Sequence, residues 1–140
     1  MRLGHRAVLI LGFIGLVAGA LPAAAADFTV KITNSGGTNF QPANLSITVG
    51  DRVRWQNLAG VQHTSTSGVG CEADGLWDTG FMNANTTSAY VTFGTVGTFD
   101  YFCVNHCLFN MVGSITVGPK PVPVKTTSWG AIKAFYRTGE

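Results

Sequence analysis

Between Asp27 and Gly118 apolar residues recur at every second position, but only over short runs broken by Gly, Asn, Asp or Pro. A period of two sends alternate side chains to opposite faces of an extended chain, so such runs are half-buried strands. Many short strands with frequent turns build a sandwich or a barrel. Phe28, Val30 and Ile32 share one face. Leu45, Ile47 and Val49 alternate with Ser46 and Thr48, Gly50 and Asp51 turn the chain, and Val53 and Trp55 then alternate with Arg52, Arg54 and Gln56, which reads as a hairpin. Tyr90 to Phe93, a turn at Gly94 to Gly97, the face shared by Phe99, Tyr101 and Cys103, and Ser114 to Val117 complete about six or seven strands. No period runs through 68–87, which is rich in Gly, Asp and Asn. A long irregular loop is expected there, with room for one helical turn or a short strand. The fold class is all-β: 18 glycines disfavour helix, and a composition 46% hydrophobic and only 11% charged disfavours disorder. At 140 residues the chain holds about one domain.

The two ends read differently. Arg2 and Arg6 precede an uncharged apolar run from Ala7 to Leu21, shorter than the roughly 20 residues that span a bilayer. Ala24 and Ala26 place small residues before Asp27, so 1–26 is expected to be a cleaved secretory signal. The domain is then 27–118, with three basic residues against six acidic ones. From Pro119 the chain is basic, with prolines at 119, 121 and 123 forming a linker. After it Ser128 caps a short helix on which Trp129, Ile132 and Phe135 or Tyr136 share a face; a disordered tail stays open as the alternative. That helix offers the one route to a membrane surface. No basic patch with interleaved aromatics exists, which excludes nucleic acid as a partner.

An exported chain meets an oxidising compartment, and beyond the signal it carries three cysteines, Cys71, Cys103 and Cys107. One is left over, and a spare thiol outside the cytosol needs a reason, of which holding a metal as thiolate is a common one. With His5 in the signal, the histidines available are His63 and His106. The run from Cys103 through His106 to Met111 has the form C-x2-H-x4-M, so three donors converge from one loop, and His63 completes the set. A soft thiolate, two imidazoles and a weak thioether suit copper in both its oxidation states. Zinc on Cys103, His106 and Cys107 is the rival, handicapped by adjacent ligands and an idle methionine. Met82 reads as core packing.

The stretch Tyr101-Phe102-Cys103-Val104-Asn105-His106-Cys107-Leu108-Phe109-Asn110-Met111 resembles the ligand loop of the cupredoxins, the type 1 blue copper proteins, in their plastocyanin-like form. The resemblance extends over Phe40 to Trp55, over the first-histidine segment Asn57 to Thr64, and over Leu76-Trp77-Asp78-Thr79-Gly80. It implies a Greek-key β-sandwich with one copper ion per chain, held by His63, Cys103 and His106 with Met111 as the long axial ligand. Three positions depart from the family pattern. Thr64 stands where Asn is common, and Asn is the residue that ties the two ligand loops together. Asn105 stands where many relatives have Pro, and Asn110 where many have Gly, a place where Asn still tolerates a left-handed backbone. His106-Cys107 is similar to the plant blue copper proteins, which implies a disulfide between Cys71 and Cys107; a Cys103–Cys107 pair would consume the thiolate.

The residues show no nucleophile with a base, no carboxylate pair and no open coordination position, so no catalytic role is expected. What the resemblance implies is one-electron transfer by a periplasmic or extracellular monomer, with His106 as the exit. Transient redox partners would dock on an apolar collar of Leu108, Phe109 and Val112. A copper chaperone or buffer is the other function the same ligands could serve.

Overall fold

The computed structural model describes residues 24–34 and 39–122. The body of the expected signal and the expected tail helix lie outside the described residues. Among the described residues nine strands follow one another: β1 (Asp27–Thr33), β2 (Asn39–Gln41), β3 (Asn44–Thr48), β4 (Arg52–Asn57), β5 (Thr66–Val69), β6 (Glu72–Asp78), β7 (Val91–Thr92), β8 (Gly97–Phe102) and β9 (Val112–Gly118). They form a four-stranded sheet in the order β2-β1-β4-β7 and a five-stranded sheet in the order β3-β9-β8-β5-β6. The β1–β4 and β3–β9 pairs are parallel, and the other neighbours antiparallel. This is an all-β sandwich, as the alternation and the ligand-loop resemblance imply.

Alternation decides which side of each strand is buried. Val30 and Ile32 of β1, Val53 and Trp55 of β4, Ile47 of β3, Tyr101 of β8, and Ile115 and Val117 of β9 point inward and are at most 5% exposed. Rings fill the middle: Trp55 stacks on Trp77 at 5.7 Å, and Tyr101 meets Phe40 edge-on at 4.7 Å.

The expected hairpin across Gly50 and Asp51 does not form. β3 lies in one sheet and β4 in the other, so the chain arches from layer to layer. Gly50 has φ +92, and Asp51 accepts the N–H groups of Ala26 and Thr48, each at 2.8 Å. Alternation misleads here because both an arch and a hairpin keep every second residue on the core side; what separates them is the partner strand, found about 70 residues away in the β3–β9 pairing of Leu45 with Ile115.

The aperiodic stretch holds a strand, one of the two elements for which the sequence leaves room. β6 pairs with β5, yet Trp77 is its only buried residue, because β6 is an edge strand with little to cover it. A register shift between Thr66 and Gly68 bulges this hairpin, and Gly68, at φ +137, sits where a Cβ would strike the Glu72 carbonyl. The rest of the stretch, 79–87, is irregular apart from short bridges.

Candidate metal centre

The loop from Cys103 to Met111 joins β8 to β9, whose last pair is Phe102 with Val112. Adjacent strand ends bring its two ends together. Cys103 N–H donates to the Met111 carbonyl, Met111 N–H to that of His106, and His106 N–H to that of Cys103, each at 3.1 Å. A 3-10 turn over Cys107–Phe109 stops at Asn110, which adopts φ 60 and ψ 31. The left-handed conformation that Asn allows at this position is therefore used. Cys71 and Cys107 form a disulfide with Cα atoms 5.7 Å apart, tying the β5–β6 turn to the same loop. Cys103 is left as the one free cysteine among the described residues, and it is fully buried. The Cys103–Cys107 pairing and the zinc site using Cys107 are both excluded by this bridge.

His63 arrives from the connection that crosses from β4 in one sheet to β5 in the other. Beyond β4 the chain folds around Asn57, a fully buried amide that donates to the carbonyls of Val61 (2.8 Å) and Met82 (2.9 Å) and accepts Ala59 N–H (2.9 Å). His63 then exchanges main-chain bonds with Met82, at 3.2 and 2.8 Å, which fixes its direction. Met82 is 4% exposed, the packing residue expected.

The donors meet at one point. Cys103 Sγ lies 3.5 Å from His63 Nδ1 and 3.4 Å from His106 Nδ1, and the ligand atoms of the three residues all lie within 4.8 Å of one another. The two imidazole rings are tilted by 41° with centroids 4.6 Å apart. Sulfur–nitrogen separations near 3.5 Å are what donors share when both bond one ion at about 2.0–2.3 Å. His63 supplies a second sign of fit: its ring is fully buried with Nδ1 turned to the Cys103 sulfur. Such a ring is costly to bury unless something binds it. Burial also pushes the His63 pKa below the usual imidazole range, with the His106 charge as the lesser cause, so the ring stands as the neutral base a metal needs. Met111 is 1% exposed, with its main chain bonded to both Cys103 and His106. His106 is half-buried and nearest to solvent.

Two bonds link the loops. Thr64 N–H donates to Cys103 Sγ at 3.4 Å, and Val104 N–H donates to Thr64 Oγ1 at 2.9 Å. Despite its shorter side chain, Thr64 thus spans the gap between the first-histidine segment and the ligand loop.

The profile of the copper-binding proteins of the plastocyanin/azurin family matches residues 26–118. The chain belongs to this family. Relatives within it include a plastocyanin of Scenedesmus fuscus, 36% identical over 97 residues that cover 65% of this chain and 99% of that protein. A plastocyanin of Prochlorothrix hollandica is 35% identical over 124 residues, 82% of this chain and 95% of that one. Among solved structures, a purple cupredoxin of Nitrosopumilus maritimus superposes with a TM-score of 0.59 at 28% identity, covering 66% of this chain and all of its own. The His-Cys-His cluster and the copper-binding family agree on the cofactor, one copper ion.

Residue types and spacing left several members of this cupredoxin site undetected. Asn57 looks like any turn residue, and Ser65, Thr66 and Ser67, which follow Thr64 in a run of hydroxyl side chains, read as surface yet are at most 3% exposed. Ser65 Oγ accepts Trp77 Nε1–H at 3.2 Å, and Ser67 Oγ bonds both the N–H (2.9 Å) and the carbonyl (3.0 Å) of Trp77. The usable signal was that four polar residues follow directly on a candidate ligand, where a loop leaving the protein would be expected to turn.

Proposed function

We propose that this chain is an exported carrier of single electrons, with His63, Cys103 and His106 as the strong ligands of one copper ion and Met111 as its weak axial ligand. The observation that carries the reading is the convergence of a buried free thiol and two imidazole Nδ1 atoms, one from the β4–β5 connection and one from the β8–β9 loop. When bound, copper supplies a site that takes up or releases one electron without making or breaking bonds to carbon. The protein holds the donors by the β4–β5 connection, a disulfide and a closed β8–β9 loop, so their positions need not change with oxidation state. Thr64 N–H stabilises negative charge on Cys103 Sγ. His106, half-buried while His63 is sealed, is the route to solvent.

Apolar side chains surround that route. Leu108 and Phe109, 92% and 81% exposed, and Val104, 50% exposed, flank His106 in the chain, and Val61 lines the same depression as the His106 ring. A small apolar surface of this kind suits transient redox partners, which bury less than about 1,200 Å². Val112, 44% exposed, completes the apolar collar. The reading includes a signal over 1–26, a working domain over 27–118, a periplasmic or extracellular location, a monomeric state, no catalytic residue, no nucleic-acid partner, and membrane contact only through the segment 119–140.

Voltammetry and metal exchange of the copper-loaded protein test it together. A reversible one-electron wave with slow copper loss to a chelator is the expected result. Preferential Cu(I) binding with rapid exchange would instead make the protein a copper chaperone or buffer.

A further inference from the structure

Thr66 Oγ1 lies 3.1 Å from Asp78 Oδ1 and also 3.1 Å from Thr64 Oγ1, whose oxygen in turn accepts Val104 N–H at 2.9 Å. Thr64 and Thr66 are 2% and 3% exposed, whereas Asp78 is exposed. A hydroxyl has one proton, and Thr66 has two oxygens within reach of it. The carboxylate can only accept, and hydrogen bonds to a charged acceptor are the stronger ones, so the Thr66 proton goes to Asp78. The hydrogen between the two threonines is then that of Thr64, donated to Thr66 Oγ1. With its own proton turned away, Thr64 Oγ1 presents lone pairs to Val104 N–H, the amide next to Cys103. Gly80 N–H, bonded to Asp78 Oδ1 at 2.9 Å, keeps the carboxylate in place.

We infer that Asp78 is a positioning residue for the metal centre, acting through Thr66 and Thr64 on the Val104 amide and so on the placement of Cys103. Neither the spacing of the ligands nor the carrier function assigns it such a role; the inference rests on the copper reading only for its spectroscopic consequence. Without the carboxylate, the Thr66 proton is free to turn to Thr64 Oγ1. That oxygen then receives two donors, and the Thr64 hydrogen loses its acceptor in a buried place.

Amide hydrogen exchange on the metal-free protein reads the amide directly, with Val104 compared with core amides such as Ile32 and Ile115. In Asp78→Ala and in Thr66→Val, Val104 exchange should accelerate by about tenfold or more while the core amides stay at their native rates. Asp78→Asn keeps an oxygen acceptor and should restore slow exchange. On copper loading, the first two variants should shift the reduction potential and the visible band, and Asp78→Asn should shift neither. Unchanged Val104 exchange in both disrupting variants overturns the inference. So does acceleration shared equally by the core amides, which would make Asp78 a general stabiliser. Because exchange is measured without metal, a protein that bound no copper would defeat the carrier reading and leave this result standing.

Discussion

At the scale of single residues, the site separates into side chains that announce themselves and side chains that do not. Cys103, His106 and Met111 are legible because one loop carries all three, so sequence spacing is nearly spatial spacing. His63 is legible by elimination, as the other histidine outside the expected signal. Thr64 is legible through the family position it occupies, whereas Asn57 and the hydroxyls of 65–67 are not, because their partners lie at positions such as Met82, Trp77 and Asp78, and a polar residue carries no mark of where its partner will be. Removing Asn57 should show what it holds. Asn57→Ala strands Ala59 N–H, takes a donor from the Val61 carbonyl and leaves the Met82 carbonyl with His63 N–H alone, and should lower stability by about 3 kcal/mol in urea unfolding, with faster copper loss as the His63 segment loosens. Close packing beside the ligand loop gives a second prediction. A Cβ at Gly113 would lie 2.5 Å from the Tyr101 hydroxyl oxygen and 2.7 Å from the Ala43 carbonyl oxygen, so Gly113→Ala should cost about 1–3 kcal/mol in the same assay.

At the scale of elements, alternation located the strands and their buried faces but could not assign partners. The arch at Gly50 and Asp51 reads as a hairpin because its inward residues fit either arrangement, and β6 is legible only as room for a short strand because an exposed edge strand has no face to mark. The Cys71–Cys107 disulfide is the element that joins this edge to the metal loop, across a sequence separation of 36. On the chain-entropy account its closure contributes about 3–4 kcal/mol. The double variant Cys71→Ser with Cys107→Ser should unfold at correspondingly lower denaturant, while copper still binds with a visible band, since Cys103, both histidines and Met111 are untouched. Loss of the band would mean that the bridge shapes the first ligand shell rather than bracing it from outside.

At the scale of the molecule, two sheets close over an aromatic core and present the metal donors at one end, with Asp51 fastening the arch between the layers. Main-chain N–H groups of Ala26 and Thr48, with the Thr48 hydroxyl at 3.0 Å, hold the Asp51 carboxyl below the usual carboxylate range. A depressed folded pKa contributes stability that is fully present above the ordinary value of about 3.9 and is lost as pH falls through the folded value. Asp51→Ala should therefore lower the urea midpoint at pH 7 and flatten its decline below about pH 4. A form beginning at Asp27 keeps the Thr48 donors alone and should show a smaller effect. All of this framework serves one claim, that a buried thiol and two imidazoles hold a single copper ion for electron transfer. The most direct test is the visible spectrum of the metal-free protein during stoichiometric addition of Cu(II). The expected result is an intense band that saturates at one copper per chain and is absent in Cys103→Ser. A colourless product, or a band that survives the loss of Cys103, would contradict the account.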